Sequence, residues 1–228
     1  MSSTGTKTAN QMYQASGWCA HHNTDIWGDT APQDIYAQGA YWPMGGAWLL
    51  SHVYEHYRFT GDIQFLKKYY NIMYSAVQFY QDFLVDYNGW KVTNPSVSPE
   101  NSYKNGTISG SMTIGSTIDN SILWELFGNL LEAAQILGKP VLHDQTLMAA
   151  QTLRAQLPPL RVSPTTGTLM EWIADFTEVC VYSSTSFPGC SRLTRPILDT
   201  ATCHLYTASF QATRSHPRIR QYGMLHLH

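Results

Sequence analysis

The segment PMGGAWLLSHVYEHYRFTGDIQFLKKYYNIMYSAVQFYQDFL, residues 43–84, decides the fold class. A proline in the first turn, where its missing N–H costs nothing, opens a helix running from Pro43 to about Phe59. That helix turns Ala47, Leu50, Tyr54 and Tyr57 to one side. Gly61 is the residue best able to take the left-handed cap that ends it, and Asp62 is placed to cap the next helix. There Leu66, Tyr69, Tyr70, Met73, Val77, Tyr80 and Leu84 recur at steps of three and four, making one apolar stripe. Two amphipathic helices joined by so short a turn pack antiparallel. The chain therefore reads as all-α, a succession of helical hairpins.

The same periodicity extends outward. A third helix from about Thr117 to Leu137 carries Leu123, Leu126, Leu130, Ala134 and Leu137 on its stripe and stops at Gly138-Lys139-Pro140. A fourth runs from Asp144 to Leu157 and is ended by Pro158-Pro159. Toward the N-terminus, Ala9 to Ala15 reads as a weaker helix finishing before Gly17. Trp90 to Thr93, after the Asn88-Gly89 turn, is the one fair strand. Long loops separate the hairpins, and long loops in a compact domain usually carry function.

Composition narrows the classes. The 228 residues hold 14 basic and 16 acidic side chains, a net charge of −2, and only 13% are charged. So few cations argue against a basic nucleic-acid surface. No apolar run reaches the roughly 18 residues of a membrane span, and MSSTGTKTANQMYQ lacks the charged start and apolar stretch of a signal peptide. Cys19, Cys180, Cys190 and Cys203 have neither metal-ligand spacing nor the density of a disulfide scaffold. Composition also breaks near residue 176. Every tryptophan lies at or before Trp172, whereas the last 52 residues have no lysine, three of the four cysteines and no apolar period. Residues 1–176 read as one domain, and 177–228 as an irregular tail of non-native character.

Four loops could carry chemistry. From Gly17 to Gly46 the chain concentrates His21, His22, Asn23, Asp25, Asp29 and Asp34 beside Trp18, Trp27, Tyr41 and Trp42. Indole faces stack on pyranose rings while imidazole, amide and carboxylate groups bond hydroxyls, so the mixture suits a sugar. By composition alone, buried aromatics with polar groups capping helices and turns are the simpler account. A metal held by His21, His22 and Asp25 is a third reading, opposed because adjacent side chains point apart in most backbones. The second loop, Asp86 to Thr107, sets Glu100 between Pro99 and Asn101, whose amide is placed to orient it. A catalytic acid needs such a rigidly held carboxyl, although composition alone also fits an ordinary loop glutamate. Asn105-Gly106-Thr107 matches the N-glycosylation acceptor pattern. In the third loop Asp119 and Asn120 start a helix, where capping is the default role. In the fourth, Glu171 and Asp175 would share one face if helical, with solvent exposure the simpler account.

Taken in order, these stretches resemble the catalytic domain of the α-L-fucosidases of glycoside hydrolase family 95. The matching words are TANQMY and GWCAHHNTDIWGD within residues 8–29, YWPMGGAWL at 41–49, FTGD at 59–62 and GWKVTNPSVSPEN at 89–101. They continue with MTIGSTIDN at 112–120, LPPL at 157–160 and LMEWIADF at 169–176. The resemblance implies an (α/α)₆ barrel, here partial, whose apolar stripe through Leu123, Leu126 and Leu130 would lack some partner helices. It implies hydrolysis of terminal α-1,2-linked L-fucose with inversion, and Glu100, in the Ser-Pro-Glu motif, as general acid. His21, His22, Asn23, Asp25, Trp42, Asn101 and Asp119 become the candidate substrate-binding residues. The implied partner is a fucosylated oligosaccharide or glycoconjugate, with no nucleic acid, membrane, cofactor or metal, and the family context implies secretion. The family's base-side motifs, Asp-Gly-Asn-Phe-Gly and Asn-x-Asn, do not occur in this sequence, nor does its His-Arg-His segment. A non-catalytic carbohydrate-binding remnant and a helical-barrel glycosidase for another sugar are the rival readings.

Overall fold

The computed structural model describes residues 1–179. The described residues divide into two compact units, the first made of residues 1–160 with 171–179, the second containing 161–170. In the second, Val162 bridges Leu169 in antiparallel fashion, and Ser163 closes the intervening turn by accepting from the Thr165 and Thr166 N–H groups.

The first unit is mostly helical. Helix α1 spans Ser2–Tyr13, starting earlier than the sequence suggests. It also ends earlier, because Gln14, at φ 52°, takes the left-handed cap before Gly17 is reached. A four-residue helix, α2 (Ala37–Ala40), lies inside the first long loop. Helix α3 covers Gly45–Thr60 and stops where Gly61 adopts φ 68°. Helix α4 covers Ile63–Phe83, and the Asp62 carboxylate accepts from the Phe65 N–H as a true N-cap. Helix α5 covers Thr117–Ile136, and α6 covers Gln145–Gln156 behind a 3₁₀ turn at Val141–His143. Asp144 caps α6 through the Leu147 N–H and also accepts from the Tyr74 hydroxyl, tying the start of α6 to α4.

Helices α3 to α6 share one core, with α5 packed against the other three. Contrary to the expectation of an unpartnered stripe, Leu123, Leu126 and Leu130 are fully enclosed, together with Phe127, Ala133 and Ala134. Each such large side chain contributes roughly 1.5–3 kcal/mol when taken out of water. The apolar side chains that remain exposed include Ile26, Trp27 and Ile35 in the first loop, Trp48 and Phe59 of α3, Trp124 of α5, and Ile108 and Leu142 in the connections.

The all-α reading needs one correction. The α4–α5 connection is built from short strands: β1 (Val85–Tyr87), β2 (Trp90–Val92), β3 (Ser96–Val97), β4 (Ser102–Asn105), β5 (Ile108–Gly110) and β6 (Met112–Thr113). The expected β2 pairs with β1 across Asn88 and Gly89, both at positive φ, as a two-residue hairpin turn requires. β3 pairs with β6, and β4 pairs with β5. The sequence assigns 177 onward to the irregular tail, yet Thr177–Val179 forms β7, antiparallel to β4 with Ser102 opposite Val179. The rest of that tail lies outside the described residues. Strands of two to four residues carry no readable alternation, and their hydrogen bonds alone define them.

Candidate functional site

The α4–α5 connection presents Glu100. After β3 the chain turns tightly through Ser98, Pro99 and Glu100, and the Asn101 N–H donates to the Ser98 carbonyl at 2.6 Å. A second carboxylate holds this turn from outside. Glu171 Oε1 accepts from the buried Ser98 hydroxyl and, at 3.0 Å, from the Asn101 side-chain amide. The Glu171 carbonyl accepts from the Thr117 N–H, at 3.0 Å, at the start of α5. The Asn101 amide therefore orients Glu171, where the sequence suggests that it orients Glu100. Glu171 and Asp175 also share no helical face, because residues 171–174 form a bend.

With its backbone held, Glu100 leaves its carboxylate open, 42% exposed, facing the His22 ring. His22 Nε2 stands 3.9 Å from Glu100 Oε1, within ion-pair reach but beyond a direct hydrogen bond. His22 Nδ1 is buried with no hydrogen-bond partner among the described residues. Gln38 of α2 donates to the Ser102 hydroxyl, so the first loop is fastened to the strand that follows Glu100.

The other sequence candidates face inward or serve their own loops. His21 is buried. One ring nitrogen lies 2.7 Å from the Thr30 carbonyl, the other 2.6 Å from the Tyr13 hydroxyl, and the ring stacks on Tyr13. Burial pushes its pKa down, partly offset by the Thr30 carbonyl. His21 is thus a core residue and not a sugar contact, and the adjacent histidines part as expected, one to the core and one toward Glu100. Asp25 Oδ1 accepts from the Trp27 and Asp29 N–H groups, shaping its own turn, and Asn23 lies exposed in the same loop. His21, His22 and Asp25 do not converge as metal ligands would.

Trp42 is buried and its indole N–H donates to Asp119 Oδ1 at 2.8 Å, which corrects its reading as an open stacking platform. Asp119 is itself buried, the third residue of α5, and its Oδ2 accepts from the Thr93 and Ser96 hydroxyls, each at 2.7 Å. Burial pushes this carboxyl up to about 6, with the Thr93, Ser96, Trp42 and Ser116 donors pulling the other way. Asp119 is neither a plain cap nor a substrate contact. It joins the first loop, the β2–β3 connection and α5 behind the turn that carries Glu100. Sequence reasoning missed this hub and the Glu171 staple, since each joins residues far apart in the chain.

Fold and site together define a mostly helical domain with a carboxylate-centred loop site. The chain belongs to glycosyl hydrolase family 95, whose catalytic-domain model matches residues 1–182. The match runs past the composition change at 176 and takes in β7. Alpha-L-fucosidase 2 of Arabidopsis thaliana is 41% identical over 177 residues, covering 76% of this chain and 21% of that protein. Probable alpha-fucosidase A of Aspergillus niger is 33% identical over 130 residues, covering 56% of this chain and 16% of that protein. The chain thus spans about a fifth of the length of the curated relatives it matches.

Proposed function

We propose that this chain supplies the acid side of an α-L-fucosidase that removes terminal α-1,2-linked L-fucose with inversion, its helices forming part of an (α/α)₆ barrel. The observation that carries the reading is the presentation of Glu100, a carboxylate on a turn stapled at both flanks and facing an imidazole. Glu100 donates its proton to the glycosidic oxygen as the bond to the anomeric carbon breaks. His22 borders the acid, and Asn23 is the exposed polar residue of the adjoining loop. Inversion needs a water activated on the opposite sugar face, with a carboxyl separation of roughly 6.5–9.5 Å to admit it. The groups expected to activate that water sit in the two base-side motifs this sequence lacks. The substrate is a fucosylated oligosaccharide or glycoconjugate, encountered outside the cell, and the reaction needs no cofactor. The missing base-side motifs also favour one second reading, a remnant that binds fucosides without turning them over.

A chimaera tests the reading: residues 1–182 of this chain replace the matching segment of the Arabidopsis relative, and fucose release from a 2′-fucosylated oligosaccharide is followed by NMR. The expected result is release of the β-anomer first. Glu100→Gln should slow turnover by about 10²–10⁴ on an ordinary fucoside and far less on one with a highly acidic leaving group. Equal losses on the two substrates would remove Glu100 from the acid role, and binding without release would favour the remnant.

A further inference from the structure

We propose that Glu171 is the positioning residue of this site, its carboxylate stapling both flanks of the turn that presents Glu100. This deepens the reading of Glu100 as the acid and rests on it. The residues on either side of the Pro99-Glu100 pair both donate to one oxygen, Glu171 Oε1, Ser98 through its hydroxyl and Asn101 through its amide. Two donors on a single oxygen tie both flanks of the turn to one point. Glu171 is in turn anchored by its own carbonyl to the first turn of α5, so the staple ends on a packed helix. Without it, the turn keeps the Asn101 N–H to Ser98 carbonyl bond; β3 before it is held by β6 and by the Ser116 hydroxyl on the Val97 carbonyl, and β4 after it by β5, β7 and the Gln38 amide on Ser102. Only the first of these spans the turn, and the others hold the strands on either side. The buried Ser98 hydroxyl would meanwhile lose its acceptor. A proton donor that must meet the glycosidic oxygen cannot wander by an ångström without losing rate. Glu171 thus acts on the reaction through Glu100, with no need to touch the sugar.

Hydrogen exchange on the full 228-residue chain tests the staple independently of turnover. Glu171→Ala should speed exchange of the Asn101 amide by roughly tenfold to a hundredfold, while amides around Phe127 and Leu130 in α5 stay protected. Glu171→Gln keeps a carbonyl oxygen where Oε1 stands and should restore protection to within a few fold. Unchanged exchange at Asn101 in Glu171→Ala would overturn the proposal, as would equally faster exchange at Asn101 and throughout α5. Binding of a cationic iminosugar of L-fuco configuration reports separately on Glu100, since a carboxylate there attracts the ammonium. Glu100→Gln should abolish that binding, Glu171→Ala should weaken it about tenfold, and Glu171→Gln should leave it near wild type. In the chimaera, equal losses for Glu100→Gln on ordinary and acidic-leaving-group fucosides would sink the acid reading, while the exchange result still decides the staple.

Discussion

Burial holds the Asp119 carboxyl up at about 6, against 3.8 for the free group, because ionisation there leaves a charge with no water around it. The indole and hydroxyl donors offset part of that cost without cancelling it. The folded chain therefore keeps this proton to a higher pH than the unfolded chain does. The resulting stabilisation is fully present below about pH 4 and is lost as pH rises to about 6, with an upper size of about 3 kcal/mol. Asp119→Asn has no proton to lose there. Urea unfolding of both proteins at pH 4.5 and 7 should show wild type losing up to about 2 kcal/mol relative to the variant over that interval. Parallel changes in the two would mean that Asp119 is ionised throughout. His22→Ala makes the complementary case. It removes a partly buried ring whose Nδ1 has no hydrogen-bond partner among the described residues, so its thermal midpoint should move little while binding of the fuco-iminosugar weakens. His21→Ala should do the reverse, costing about 2–4 kcal/mol of stability through its lost stack and two buried hydrogen bonds.

Two glycines separate what a helix end demands from what helix packing demands. Gly61 ends α3 at φ 68° with open space around its α-carbon, so Gly61→Ala should cost only the left-handed backbone penalty of about 1–2 kcal/mol. Gly17 has a similar φ of 66°, but a side chain there would point at α4, its first carbon 1.9 Å from the Ser75 carbonyl oxygen and 2.8 Å from the Phe79 nitrogen. Gly17→Ala must push the first loop off α4, and a loss of at least about 3 kcal/mol is expected, a fall in melting temperature of roughly 6–12 °C. A melting temperature equal to that of Gly61→Ala would mean the loop yields freely. The long helices were legible because their stripes repeat over several turns and their ends carry Asp62, Gly61 and Asp144. The strands between α4 and α5 were not, because pairs such as Ser96–Thr113 are made by backbone bonds across a loop and leave no period. The site divides the same way. Glu100 is proposed on the Ser-Pro-Glu motif, which is local in the chain, whereas the Glu171 staple joins residues 73 apart and no local pattern encodes it.

At the scale of the whole molecule, folding and chemistry come apart. The helices of the first unit bury Leu123, Leu126 and Leu130 among themselves, so the described residues already enclose a core of their own. Neither of the motifs that the proposed mechanism assigns to the opposite face of the sugar, Asp-Gly-Asn-Phe-Gly and Asn-x-Asn, occurs in the 228 residues. Under the proposed mechanism, protonation by Glu100 without an activated water leaves the anomeric carbon with no nucleophile held in line. The expected outcome is a chain that melts cooperatively yet turns over a 2′-fucosylated oligosaccharide about 10²–10⁴ times more slowly than the chimaera, the usual worth of one general acid or base. An acidic leaving group should not rescue it, because the deficit lies on the water side and not at the departing oxygen. Calorimetry followed by both assays on one preparation decides the matter. Turnover within tenfold of the chimaera would place a working base inside these 228 residues, and a broad, non-cooperative melt would show that the enclosed core does not hold the unit together.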